Sequence, residues 1–257
     1  MTDATDTFVS HLIELRDRLI RVMVVFGVLF FASFFWPTWP VMYAQFAHPM
    51  MAALPQGGQM ISTDVVGVFL VPMKIAALAS FLVMLPYALY QAWAFVAPGL
   101  YQHEKKLVVP LVLSSTLLFF LGMAFAYFLI FPTVFKFMAS FAPQGVAWMT
   151  DIEKYFGFAL SMFLVFGITF ETPVVVVLLV RMGIVSVEKL KEIRPYIFVG
   201  AFVVGAIFTP PDILSQFLLA VPLYILYETG IFFAQMITPK KSTDDSDKTS
   251  DHETAAP

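Results

Sequence analysis

Cysteine, asparagine and charge are absent or scarce in this chain of 257 residues. Without cysteine there is no disulfide framework, no thiolate nucleophile and no thiolate metal site, and the redox compartment stays undetermined. Without asparagine there is no N-glycosylation acceptor. Charged residues make up 13% of the chain and hydrophobic ones 60%, against roughly 25% and 45–50% in average globular domains. Too little polar surface remains to cover a water-soluble core, so a soluble domain is excluded. Fifteen Lys and Arg against eighteen Asp and Glu give a net charge of −3. That balance excludes a sequence-independent nucleic-acid binder, which needs a basic stripe to neutralise phosphates.

Enzyme motifs are missing too. His103-Glu104-Lys105-Lys106-Leu107 lacks the second His of a zinc-protease helix. There is no Gly-x-Ser-x-Gly elbow and no phosphate-binding Gly loop ending in Gly-Lys-Ser/Thr. The four histidines are scattered, so no metal site is expected. The sequence encodes no covalent chemistry and calls for no cofactor.

What it has is long apolar runs. A helix needs about 20 apolar residues to cross the ~30 Å hydrocarbon core. Four runs meet this: about 19–39, uncharged after Arg21; 65–96, with Lys74, Pro72 and Pro86; 107–131, uncharged; and 155–180, with Glu171 alone. Two more are irregular: 195–208 is short, and 213–237 is interrupted by Glu228. Short segments are often re-entrant, so these physical arguments leave open six spans or four plus a re-entrant hairpin. The expected fold is all-α and polytopic, a membrane domain over 1–237 with a disordered tail over 238–257, where no aliphatic face remains. Two connections, about 40–64 and 132–154, are long enough to cap the ends of the spans.

Charge sets the orientation. Arg16, Arg18 and Arg21, Lys105 and Lys106, Arg181 to Arg194, and the tail lysines place twelve of fifteen cations on alternate connections. The positive-inside rule makes that side cytoplasmic, with both termini there. The N-terminus carries Asp3 and Asp6 before any cation and no small-residue cleavage site, so a cleavable signal peptide is not expected.

The few ionisable groups at membrane depth carry the most information. A carboxylate at the depth of Glu171 costs roughly 2.5–3.5 kcal/mol on insertion scales and normally faces a cavity or a partner. A protonated Glu171 hydrogen-bonded to a neighbouring helix is the plain reading; a water-filled cavity or binding groove is favoured. Glu228 lies near enough to a helix end to reach the interface. Asp212 follows a Pro-Pro turn and reads first as a helix cap, and Lys74 as a snorkelling cation. From Phe8 to Leu19 apolar residues recur at helical spacing, as in an interfacial helix, with Glu14–Arg18 and Asp17–Arg21 as i,i+4 pairs. The loop from Trp93 to Lys106 sets aromatics beside Glu104; either an aromatic belt or a seat for a basic, partly apolar peptide fits that composition.

Together these stretches resemble the TatC family, the core membrane component of the twin-arginine protein translocase. The resemblance rests on His11-Leu-Ile-Glu-Leu-Arg-Asp-Arg-Leu19, Phe95-Val-Ala-Pro-Gly-Leu-Tyr101 with His103-Glu104, Phe170-Glu-Thr-Pro173, and Arg194-Pro-Tyr to Thr209-Pro-Pro-Asp212, in the family's order. It implies six spans with the last two short, a concave, glove-like bundle, and residence in the bacterial inner membrane. The implied function is binding of Arg-Arg signal peptides on folded cargo and assembly with TatA and TatB, in a self-associating receptor complex driven by proton-motive force. It implies a signal-binding role for Glu14, Arg16, Phe95 and Glu104, a translocation role for Glu171, and outer-loop roles for Pro49 and Asp212. Two rivals of other classes are a proton-coupled small-solute transporter using Glu171 and Glu228, and a purely structural membrane scaffold.

Overall fold

The computed structural model describes residues 2–35, 39–54, 59–96, 108–141, 149–209 and 212–237, side chains of 2–8, 39 and 108 excepted. Helices dominate, as they must where no water can satisfy a backbone N–H or C=O. The tail over 238–257 and Glu104 lie outside the described residues.

Helix α1 (Thr2–Phe35) is continuous. The expected interfacial segment and first span are therefore one rod, because it contains no proline and a lone Gly27 costs only about 1 kcal/mol. Helix α2 (Trp39–Met51) and strand β1 (Met60–Ile61) follow at the far end. Helix α3 (Gly67–Val96) returns, and α4 (Val108–Phe125) runs through a π turn (Ala126–Ile130) into α5 (Phe131–Ser140). In that turn the Phe131 N–H reaches back five residues to the Ala126 carbonyl, and Pro132 removes the next donor. Strand β2 (Thr150–Asp151) precedes α6 (Ile152–Phe170), which breaks at Glu171 before α7 (Thr172–Arg181). The cause is Pro173, whose missing N–H leaves the helical ladder open at Thr169. A short α8 (Val187–Glu192), α9 (Arg194–Phe208) and α10 (Ile213–Ile237) complete the fold.

Among the described residues five helical stretches are long and apolar enough to cross a membrane; α9 is a shorter apolar helix. Its 15 residues span about 22 Å, while the 25 of α10 span about 37 Å. Brevity therefore resides in α9.

The packing order is α1 on α3, α3 on α4, α4 on α6, then α7 on α10 and α10 on α9. Helices α1 and α9 lie at the edges of this series. The centre is aromatic: Phe131 is fully buried with its ring against Phe135, Phe158 and Phe163. The α4–α6 seam is closer than side chains allow. A Cβ on Gly122 would lie 2.5 Å from the Phe166 carbonyl oxygen, and one on Gly167 would overlap the Phe119 ring.

One face of the bundle carries the start of α1, the end of α3, and α8; we call it the basic face and its opposite the distal face. The distal cap joins the two long connections. Strands β1 and β2 pair in parallel, Met60 with Thr150 and Ile61 with Asp151. Asp151 caps α6, Oδ1 accepting from the Glu153 and Lys154 amides at 2.9 and 3.1 Å, and Oδ2 from the Thr63 amide at 2.9 Å and its hydroxyl. The Thr63 hydroxyl, with these amides, holds the Asp151 carboxyl well below the usual carboxylate range. Lys74 does not snorkel alone: its Nζ donates to Glu153 Oε1 at 2.8 Å, a pairing across 79 positions that local sequence cannot show.

Pro49 is the fourth residue after Gln45, so α2 lacks the N–H that the Gln45 carbonyl would accept. Tyr127 replaces it, its hydroxyl donating to Gln45 O at 2.7 Å. Tyr127→Phe is expected to cost about 0.5–1.5 kcal/mol. In a Pro49→Ala background, where the alanine restores the amide, the cost falls to half or less. A double-mutant cycle on unfolding in detergent checks this; equal costs in both backgrounds would exclude the replacement.

Candidate functional site

The basic face brings together the start of α1 and the last turns of α3. Arg18 donates from Nε and Nη2 to Glu14 Oε1 at 2.9 and 2.6 Å, and from Nη1 to Gln91 Oε1 at 3.1 Å. Gln91, buried within α3, in turn donates from Nε2 to the Tyr87 hydroxyl at 2.8 Å. Beside them the His11 ring stacks on Phe95, centroids 4.3 Å apart and planes 17° from parallel. His11 Nδ1 lies 3.7 Å from Glu14 Oε2, too far for a hydrogen bond. Among the described residues Oε2 therefore accepts no hydrogen bond.

The structure thus joins Glu14 and Phe95 through His11. Arg16 points elsewhere and donates to its neighbour Asp17 from Nε and Nη2 at 3.0 and 2.8 Å. The expected Asp17–Arg21 pair is corrected by this contact. Sequence reasoning missed Gln91, although Tyr87 and Gln91 stand at i,i+4 in an otherwise apolar run and could have signalled it.

Glu171 sits at the α6–α7 break, only 8% exposed, and neither carboxyl oxygen completes a hydrogen bond with a described residue. The Ser115 hydroxyl of α4, fully buried, faces the same carboxyl and accepts from Trp93 Nε1 at 2.9 Å. That contact ties Glu171's neighbourhood to the end of α3, two residues from Phe95. Glu171 does not line the groove of about 480 Å³ between α4, α7 and α10; its neighbours Pro173 and Val174 do. Gly230 lets α10 approach there, since a Cβ would lie 3.0 Å from Pro173 Cα.

The remaining candidates are structural in geometry. Asp212 Oδ1 accepts from the Ser215 amide at 2.7 Å, capping α10, while Asp212 Oδ2 and Ser215 Oγ are buried without a described partner. Pro49 lines a distal cavity. Glu228 Oε2 accepts from Arg194 Nη2 at 2.6 Å, joining the start of α9 to α10. No group of three or more His, Asp or Glu able to hold a metal occurs among the described residues.

The family model described as "Sec-independent protein translocase protein (TatC)" matches residues 10–222. TatC of Escherichia coli (strain K12) is 48% identical over 236 residues, 92% of this chain and 91% of that protein. TatC of Haemophilus influenzae is 44% identical over 253 residues, 96% of this chain and 98% of that one. A crystal structure of the twin-arginine translocase receptor TatC aligns with a TM-score of 0.78 at 35% identity, covering 88% of this chain and 98% of that chain.

Proposed function

The chain belongs to the TatC family of Sec-independent protein translocase proteins, and on that premise we propose that its basic face is the receptor surface for twin-arginine signal peptides. That face is cytoplasmic in this reading, with both termini there and the bundle in the bacterial inner membrane, following the cation asymmetry. The observation that carries the proposal is Glu14 Oε2, which accepts no hydrogen bond from a described residue, beside the stacked His11–Phe95 pair.

The chemistry suits an arginine pair. Guanidinium is a planar fork of donors that a carboxylate meets with two hydrogen bonds, and lysine cannot reproduce that geometry. Glu14 already holds Arg18 by two hydrogen bonds to one oxygen, which supports this reading and leaves the other oxygen for an incoming guanidinium. Glu104 supplies the second carboxylate, Phe95 contacts the apolar segment of the signal, and Arg16 tunes the local charge. Glu171, buried and without a described partner, receives a polar group of the translocating segment or of a partner helix. TatA and TatB are the partners, for which the apolar edges at α1 and α9 offer surface: Val24, Val28, Val199 and Val203 are all exposed.

The test is photo-crosslinking from Phe95 to an Arg-Arg signal, with a Lys-Lys signal as control, followed by export of the same cargo. Glu14→Gln and Glu104→Ala are each expected to lower crosslinking about tenfold or more, given charge-assisted bonds of about 1.5–3 kcal/mol. Glu171→Gln is expected to crosslink normally and export poorly. Normal crosslinking by the Glu14 and Glu104 variants would refute the receptor assignment, and normal export by Glu171→Gln would remove its ionisation from the mechanism. A proton-coupled transporter is disfavoured, because Arg194 neutralises Glu228, one of its two proton sites.

A further inference from the structure

Between α2 and the π turn the distal face holds a cavity of about 500 Å³. His48 and Gln45 line it from α2, and Tyr127 and Lys136 from the opposite wall, with no carboxylate among the described lining residues. The Tyr127–Gln45 bond that stands in for the amide missing at Pro49 fixes the two walls to each other.

Depth along the α4–α5 rod places the cavity in a bilayer. At ~1.5 Å per residue, Phe128 lies about 30 Å from Val108 and Lys136 about 42 Å. With Val108 at one boundary of the ~30 Å hydrocarbon core, Phe128 lies at the other and Lys136 about 12 Å beyond it, past a headgroup layer of roughly 5–8 Å per leaflet. Phe128, a wall of the cavity, is 75% exposed, so the cavity opens sideways at the boundary between acyl chains and headgroups. Lys136 stands about two turns further out, on the aqueous side of the headgroups, within reach of their phosphates through its long, flexible side chain.

The charge there is not answered by any described residue. Among the described residues Lys136 and His48 make no ion pair and no side-chain hydrogen bond, whereas the nearby distal acids are engaged elsewhere. Glu153 binds Lys74, Asp151 caps α6, and Asp64 Oδ1 accepts from the Val66 amide at 3.0 Å.

We infer that this cavity binds the headgroup phosphate of an anionic phospholipid in the distal leaflet. Lys136 and His48 face the phosphate, and an acyl chain descends past Phe128. The site does not depend on the receptor reading, since neither residue belongs to the basic face. A free phosphate ion shares the headgroup's chemistry but would leave the apolar Phe128 wall unused.

Native mass spectrometry of the full-length protein, titrated with phosphatidylglycerol, phosphatidylcholine or inorganic phosphate, tests it. The wild type is expected to retain phosphatidylglycerol in preference to phosphatidylcholine. Lys136→Gln is expected to weaken that retention about fivefold, the size of one lysine contact with an anionic lipid surface, and Lys136→Gln with His48→Gln to weaken it further. Lys191→Gln, on the basic face, is expected to leave it unchanged. Both distal residues are exposed, so the variants keep the fold, checked by an unchanged elution profile and helical circular dichroism. Equal retention of the two lipids would overturn the inference, as would wild-type retention by the double variant. Displacement of phosphatidylglycerol by millimolar inorganic phosphate would overturn the lipid as occupant.

Discussion

Gly122→Ala is expected to destabilise the bundle by about 3 kcal/mol or more, at the upper end of what overpacking costs. The added Cβ would lie 2.5 Å from the Phe166 carbonyl oxygen and 2.9 Å from its carbonyl carbon. Both are backbone atoms of α6, so no rotamer change relieves the overlap and the two helices must separate. Separation would also lift Phe119 from Gly167, because the two contacts lie on one seam. In a bilayer, where lipid is as apolar as leucine, such close backbone approach is a main source of helix association. Gly157, on the same α6, is different: a Cβ added there would meet nothing within 4 Å. Gly157→Ala should be neutral or stabilising by about 0.5–1 kcal/mol, since alanine loses less backbone entropy. Thermal unfolding of the two variants in the same detergent separates the cases; similar midpoints would refute the seam.

The second large effect is expected at Arg194 and Glu228. Their 2.6 Å contact links the start of the short α9 to the middle of α10, and Arg194 Nε and Glu228 Oε1 are buried without a described partner. Removing one member leaves the other as an uncompensated charge among apolar helices, which costs about 3–5 kcal/mol when burial is complete. Here the side chains are 39% and 32% exposed, so solvent screening reduces the expectation to about 2–3 kcal/mol. Arg194→Met and Glu228→Leu should each destabilise by that amount, and the double variant by less than either. Additive losses in unfolding measurements would mean that the two residues act separately. The same pairing explains how a carboxylate interrupts an apolar span without preventing it from forming a helix.

Much of the architecture is legible in the residues alone. The apolar runs locate the long helices because a bilayer demands about 20 apolar residues and tolerates few charges, whatever the neighbours are. The Pro-rich and aromatic connections mark the caps, and Asp212 reads correctly as a helix cap because that geometry is local. The motif around Glu14 and the Phe95 stretch point to the face that the structure assembles.

Other features are invisible there because they depend on which elements meet. Lys74 looks like a snorkelling cation until Glu153, 79 positions later, is brought to its amine. Arg21 is as good a helical partner for Asp17 as any, yet Arg16 takes the contact. Gln91 gains its role only when α3 lies against α1 and Arg18 reaches it. Pro49 reads as a helix breaker, and its consequence, a carbonyl satisfied by Tyr127, requires α2 to rest on the π turn.

The sequence by itself determined that this is a polytopic, helical membrane protein, where its long apolar stretches lie, and which family it resembles. Those properties follow from solvent and from local spacing. Only the tertiary structure decided which charges neutralise each other, which glycines let helices touch, and which oxygen of Glu14 holds Arg18. In an apolar surrounding a polar group's state is set by the partner it reaches, and that partner is a matter of packing.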